Sequence, residues 1–472
     1  MTVKTSLRQA LGAVTVLVLA AGCVDQGPVA PTQDLPLPEL SAITGDGSLD
    51  HVLVVAGGAA ASDDLVAAIE AAGGSVSHRH DVIGVLKVSG LTDEAATSIR
   101  GRADVDAIDR DVILRWIPSV DEFGLQQVDG PSAETDQSGA AFFATYQWNM
   151  RQIQADDAWL ASPQGAGALV CVLDSGVDPG HLDLDGKVNL GVSTSFVPSE
   201  PFIDDLNFHG TFVSALVSSN GIGTASVAPD ADLCAVKVLD QTGSGSFAWL
   251  IDGIIHAADA GADVINMSLG AHVLRSESSA LIKALQAAIA YAVGQGTLPV
   301  ASAGNAAVNL DDFPGIAHIP SQLSGVLSVG ATAPVNQMNF DAIASYSNFG
   351  KRGVDVAAPG GDLVTGGVVM DLILSACSQF VCGNTVTYVF SAGTSFAAPH
   401  ATGQGAVLES NIAGDQGAQE LQNCIRFNAD KLDGLFISPF YGSGRINVLR
   451  SVLKPTCRGD VDGGDDGGGT PL

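Results

Sequence analysis

Six short apolar runs that lack polar alternation constrain the fold of this chain more than any other feature. They cover residues 169–173, 233–239, 264–267, 298–301, 326–329 and 354–357. A strand with water on one face alternates apolar and polar residues; one buried on both faces does not. Between the runs lie stretches of helical period and length, such as 247–260 and 279–293. Strands alternating with helices of that length predict βαβ units and an open parallel sheet with helices on both faces. Ligands of such sheets bind at the carboxyl ends of the strands, so the residues that follow each run carry the functional argument.

The polar groups suited to chemistry sit at those ends or at helix starts. Asp174-Ser175-Gly176 follows the first run, and His209-Gly210-Thr211 leads into the apolar helix start at 212–217. Ser302-Ala303-Gly304-Asn305 follows a later run. In Gly393-Thr394-Ser395-Phe396-Ala397-Ala398-Pro399-His400, a serine stands between a Gly-Thr turn and a small-residue stretch that begins a buried helix. Singly, each has a plain structural reading: a turn or cap aspartate, an exposed histidine, an Ala-Gly-Asn turn, a serine helix cap. Jointly they supply a carboxylate, an imidazole, an amide and a hydroxyl, gathered on one sheet edge.

These motifs resemble the three active-site signatures of the subtilase family of serine proteases, over about residues 146–455. Ala303-Gly304-Asn305 is similar to that family's oxyanion segment, and Asn266-Met267-Ser268-Leu269-Gly270 to its substrate-binding strand. The resemblance implies a subtilisin-like α/β fold and a Ser-His-Asp endopeptidase acting on protein or peptide substrates. An alcohol is a weak nucleophile at neutral pH, so Ser395 needs His209 to take its proton and later return it to the leaving amine. Asp174 fixes the imidazole tautomer, while the Asn305 amide and the Ser395 backbone N–H receive the oxyanion. Ser268, Leu269 and Gly270 are expected to hold substrate as an added strand. The small Ala303 and Gly304 leave a side-chain pocket open, which suggests tolerance at the residue before the cut.

The chain departs from the family in places. Phe212 stands where a second histidine is common, and Phe208 where glycine often precedes the histidine. An asparagine-rich, calcium-binding loop after His209 is lacking. Asp183 is weighed as a calcium ligand against a solvated surface acid, and the surface acid is favoured. Catalysis requires no cofactor; a structural calcium and the identity of any metal ligand stay open. The loop 360–390 is longer than usual and is expected to shape the cleft rim.

Before the large domain, a second unit spans residues 50–116. Residues 51–55 read as a strand, 63–72 as a helix, 82–88 as a strand, 92–100 as a helix opened by Thr92, and 105–116 as strands. That order predicts a small α+β sandwich. With Val105, Ile108 and Asp111 spaced as in the family's Val-x-x-Ile-x-x-Asp ending, it resembles the ferredoxin-like inhibitor (propeptide) domain of subtilisin-type proteases. The chain's own propeptide is therefore an expected intramolecular inhibitor. Residues 117–145 read as an exposed linker holding the maturation site, and 146–457 as the peptidase domain.

Lys4 and Arg8 precede an apolar run at 11–21 that is too short to span a bilayer comfortably, as in a signal peptide over 1–22. Leu19-Ala20-Ala21-Gly22-Cys23 resembles a bacterial lipoprotein box, implying acylation of Cys23, a membrane anchor and an exported protein. Residues 23–49 are a proline-rich tether, and 458–472 a disordered acidic, glycine-rich tail. Six cysteines remain after Cys23, an even number for an oxidising compartment. Cys377 with Cys382 and Cys424 with Cys457 are the expected pairs, and Cys171 and Cys234 are read as buried free thiols. The 21 basic against 51 acidic residues, a net charge of −30, argue against nucleic acid as a partner. The rival reading is a catalytically silent surface-binding protein on the same fold.

Overall fold

The computed structural model describes residues 40–41, 50–123, 125–130, 136–364, 367–412 and 417–454. The expected signal segment, Cys23, most of the tether, Cys457 and the tail lie outside the described residues.

Seven of the eight strands of the main sheet run parallel. From one edge the order is Met338–Ile343 (antiparallel), Leu327–Val335, Leu298–Ser302, Val264–Met267, Leu169–Asp174, Asp232–Lys237 and Thr194–Ser195, with Val356–Pro359 also paired to Leu327–Val335. The predicted runs fall on these strands and are buried almost throughout, because the sheet is covered on both faces. Phe247–Asp259 and Ser279–Gly294 pack with one set of strand side chains. The helices His209–Val217 and Thr394–Asn411 pack with the other.

The first unit is a four-stranded antiparallel sheet in the order Ser75–His80, Val85–Ser89, His51–Val55, Val105–Arg110, with helices Asp63–Ala71 and Asp93–Arg100. Ser62 and Thr92 cap the two helices by accepting from Leu65 N and Ala95 N. The central strand is buried along its whole length because each face meets a different partner. Leu53 and Val55 join Leu65, Ile69 and Ile99 beneath the unit's own helices. Val52 and Val54 instead pack with Phe247–Asp259 and Ser279–Gly294 of the large unit. A face that would otherwise be apolar and open is thus closed by the peptidase-like part.

Several expectations change. Cys171 and Cys234 are not free thiols: they lie opposite each other on neighbouring parallel strands, with Cα atoms 4.3 Å apart, and form a disulfide. Cys377 and Cys382 pair as expected, and Cys424 is disulfide-bonded. The linker is only partly exposed. Just before it Ile113–Arg115 pairs with Ser244–Ser246, and within it Gln126–Asp129 adds a third strand to Ile373–Ala376 and Thr387–Ser391. Residues 360–390 are accordingly not one long loop, since these two strands form an antiparallel pair within them. The packed large unit begins before Tyr146, for Ala140 and Phe143 belong to its core. Asp183 is not a surface acid. It is fully buried, and its carboxylate accepts from Ile222 N, Thr224 N and Thr224 Oγ1 at 2.6, 3.0 and 3.2 Å.

Candidate active site

Parallel strands bring the predicted residues to one edge. Asp174 ends the strand Leu169–Asp174, Ser268–Leu269–Gly270 follow Val264–Met267, and Ala303–Gly304–Asn305 follow Leu298–Ser302. His209 begins one helix, and Ser395 is the second residue of another.

The imidazole and the carboxylate are joined. His209 Nδ1 lies 2.9 and 3.0 Å from the two Asp174 oxygens, both side chains are fully buried, and Asp174 Oδ1 also accepts from Ser175 N at 2.7 Å. The loop before His209 is held by Asp205, which the sequence reading missed. Its carboxylate accepts from Ser175 Oγ, Phe208 N, Thr211 N and Thr211 Oγ1 at 2.6–3.0 Å. Burial raises the Asp205 pKa, opposed by the Thr211 hydrogen bond and by Lys237. Phe208 adopts a left-handed backbone (φ 76°), which explains why glycine suits this position and marks local strain held by the surrounding packing.

Ser395 is buried, and no hydrogen bond joins it to His209, whose Nε2 has no hydrogen-bond partner among the described residues. Phe123 from the linker covers the imidazole, with ring centroids 5.7 Å apart, and also meets Phe208 (5.0 Å) and Phe396 (6.3 Å). Phe212 completes this aromatic wall, 4.3 Å from Phe396.

Pro399 lies not in the first turn of its helix but at the sixth position. A proline there has no N–H for the carbonyl four residues back, which is that of Ser395. Ser268 Oγ supplies the missing donor at 2.6 Å; Asn266 Nδ2 donates to Ser268 Oγ at 2.9 Å, and Thr402 Oγ1 donates to Asn266 Oδ1 at 2.8 Å. The candidate nucleophile is thereby tied to the predicted substrate strand. Asn305 Oδ1 accepts from Thr394 N and Thr394 Oγ1 at 2.9 and 2.7 Å, so its Nδ2 is the end left to meet a ligand.

The cleft is filled by the chain itself. Trp116 N and Ile117 N donate to Gly243 O at 3.0 and 3.3 Å, and Gly270 N donates to Trp116 O at 3.2 Å. Trp116 Nε1 reaches Gly245 O at 2.8 Å, and its ring meets Phe247 edge-on at 5.3 Å. A cavity of about 370 Å³ beside this segment is lined by Trp116, Pro118, Gly270, Gly304, Asn305, His318 and Ser395. A larger hollow of about 710 Å³, lined by Asp136, Trp159, Lys187 and Asp230 among others, holds none of these groups and lies apart from the chemistry.

The pocket beside Ala303 and Gly304 is narrower than expected. A Cβ on Gly270 or Gly304 would come within 2.3 or 2.5 Å of the His318 ring. These glycines are what lets the imidazole reach the cavity. His318 Nδ1 is 2.8 Å from Ser321 Oγ, and burial holds its pKa well below the ordinary histidine value, so the ring is neutral.

Residues 165–444 match the model of the subtilase family. The chain is 35% identical to the thermophilic serine proteinase of Bacillus sp. (strain AK1), over 66% of this chain and 68% of that protein. It is 34% identical to thermitase of Thermoactinomyces vulgaris, over 66% of this chain and 97% of that one. Its fold is similar to the epidermin leader peptide processing serine protease of Staphylococcus aureus (TM-score 0.71, 21% identity, 87% and 99% of the two chains covered).

Proposed function

Because the chain belongs to the subtilase family, we propose that this subtilisin-like serine endopeptidase is made as an exported zymogen, its cleft closed by its own N-terminal unit until the linker is cut. On this reading residues 50–116 are an inhibitor-type propeptide domain of ferredoxin-like build. The peptidase domain follows the linker, and Cys23 is an acylated anchor behind a signal peptide. The disulfides Cys171–Cys234 and Cys377–Cys382 support an oxidising compartment and hence export.

The observation that carries the zymogen reading is the extended segment Ile113–Arg115 with Trp116 and Ile117. It is hydrogen-bonded to 243–246 on one side and, through Trp116, to Gly270 on the other. A substrate in its place would be gripped by the same backbone groups, which select no side chain. Selection falls to the pocket at His318, where a neutral, close-set wall favours a small uncharged residue before the cut.

In the reaction, Ser395 Oγ attacks the substrate carbonyl carbon as its proton passes to His209 Nε2. Asp174 holds Nδ1–H and stabilises the imidazolium. The oxyanion is met by Asn305 Nδ2 and the Ser395 N–H. Collapse releases the amine with the proton from His209, and water then cleaves the acyl ester by the same base. This scheme calls on no cofactor.

Wild type and Ser395→Ala, produced without other proteases and compared by intact mass and N-terminal sequencing, test the proposal. The wild type is expected to be cut downstream of Trp116 within the linker, and the variant to stay whole. A variant cut at the same bond would refute self-processing.

A further inference from the structure

The border between the two units carries a feature that the peptidase chemistry does not use. The edge strand Ser75–His80 has the polar sequence Ser-Val-Ser-His-Arg-His. Strand alternation places His78 and His80 on the same side, with ring centroids 4.3 Å apart. Arg79 turns the other way, to Asp81 (3.1 Å) and the Ala61 carbonyl (2.9 Å). Facing the two imidazoles is Asp252, from Phe247–Asp259 of the large unit, with His80 Nε2 2.5 Å from Asp252 Oδ1. One ligand atom from each of the three residues lies within 4.8 Å of the others.

We propose that His78, His80 and Asp252 form a divalent transition-metal site, suited to zinc, that joins the N-terminal unit to the catalytic unit. Two imidazole nitrogens and a carboxylate oxygen are donors of the type zinc takes, whereas calcium prefers oxygen alone. Around an ion at about 2.0–2.2 Å from each ligand, the three atoms would stand roughly 3–3.5 Å apart. The His80–Asp252 contact of 2.5 Å would have to open to that spacing on binding. The side chains of His80 and Asp252 are 10% and 14% exposed, so the ion would be partly desolvated, while the exposed His78 leaves water the remaining position. His256, one turn beyond Asp252, is not part of the set, for its Nε2 lies 2.7 Å from the Val192 carbonyl. Since the ligands come from both units, the metal binds only the docked arrangement. Zinc at about 100 times its dissociation constant would favour docking by roughly 100-fold.

The site needs neither an active Ser395 nor a cut linker, so its test is independent of the peptidase reading. The full chain carrying Ser395→Ala is stripped with chelator and titrated with zinc by calorimetry, then with Co²⁺ followed by visible absorption. One ion per chain and the absorption bands of a low-coordinate Co²⁺ site are expected. His78→Ala, His80→Ala and Asp252→Asn should each weaken binding by about tenfold or more. His78 is exposed, so His78→Ala should keep the metal-free melting temperature of its parent, which separates lost binding from lost folding. No stoichiometric uptake of zinc, or uptake unchanged in both His78→Ala and Asp252→Asn, overturns the proposal.

Discussion

Replacing Asp111 with asparagine should make docking of the N-terminal unit stronger at neutral pH and remove part of its pH dependence. Asp111 directly follows the strand Val105–Arg110, and its Oδ1 accepts from Ala248 N at 3.2 Å at the start of Phe247–Asp259. Its neighbour Asp109 does the same for Ala280 N at 2.7 Å, at the start of Ser279–Gly294. Two carboxylates of one unit thus cap two helices of the other. Burial pushes the Asp111 carboxyl up to about 6, opposed by the Ala248 amide and Lys87. Undocking returns it to water and to an ordinary value of about 3.9. A carboxyl raised in the docked state supports docking fully below about pH 4, and that support is lost as pH rises through about 6. The difference, at about 1.36 kcal/mol per pH unit, is ~3 kcal/mol, or roughly 100-fold in the docking equilibrium. Attraction between the charge and the helix start opposes this by only about 0.3–1 kcal/mol, so burial decides the sign. Asparagine keeps an acceptor for Ala248 and cannot ionise. Hydrogen exchange of the 247–252 segment, corrected for intrinsic pH dependence, should be compared in Ser395→Ala chains with and without Asp111→Asn. Their opening free energies should diverge between about pH 4 and 6 and then run parallel. Superimposable pH curves would refute the reasoning.

His318→Gly should widen the pocket, raising kcat/KM for a large apolar residue before the cut, relative to alanine, by about tenfold or more. An unchanged ratio on a peptide library would show that His318 does not set selectivity. Gly210→Ala places a Cβ 2.0 Å from the Gly176 carbonyl oxygen and 3.2 Å from Asp174 Cβ. Backbone on both sides must then move, which displaces the Asp174–His209 pair. A fall in kcat of roughly 10²-fold with a near-constant KM is expected from steady-state kinetics on the processed enzyme, and wild-type kcat would remove the glycine's proposed role.

Much of the catalytic edge was legible because its chemistry demands fixed residue types beside local backbone signals. Asp174, His209, Asn305 and Ser395 each stand at a strand end or helix start that apolar runs announce. What escaped depends on contacts between segments remote in sequence. The edge strand Ser75–His80 offers no apolar alternation, being polar and mostly exposed. The pairing of Cys171 with Cys234 follows from strand order, in which a strand 63 residues later is the immediate neighbour. Asp183 reads as a surface acid until residues 222–224 close over it, and Asp205 has no motif apart from the loop it holds. The strand at Gln126–Asp129 exists only because Thr387–Ser391 offers it an open edge.

The same remoteness bears on how the cleft would open. Residues 113–117 hold the cleft through backbone bonds and one indole, contacts that any extended peptide could largely replace. Their advantage over substrate lies in attachment. While the unit behind them stays docked, they act at the high effective concentration of a tethered ligand. Downstream, Phe123 covers His209 only while the linker keeps it there. A cut between Trp116 and Phe123 would leave Phe123 held from its downstream side alone, through the strand Gln126–Asp129. The segment 113–117 would stay in place for as long as Val52, Val54 and the caps at Ala248 and Ala280 held the first unit. On the zymogen reading, cutting and release would then be separate steps, the second governed by the docking face rather than by the catalytic groups.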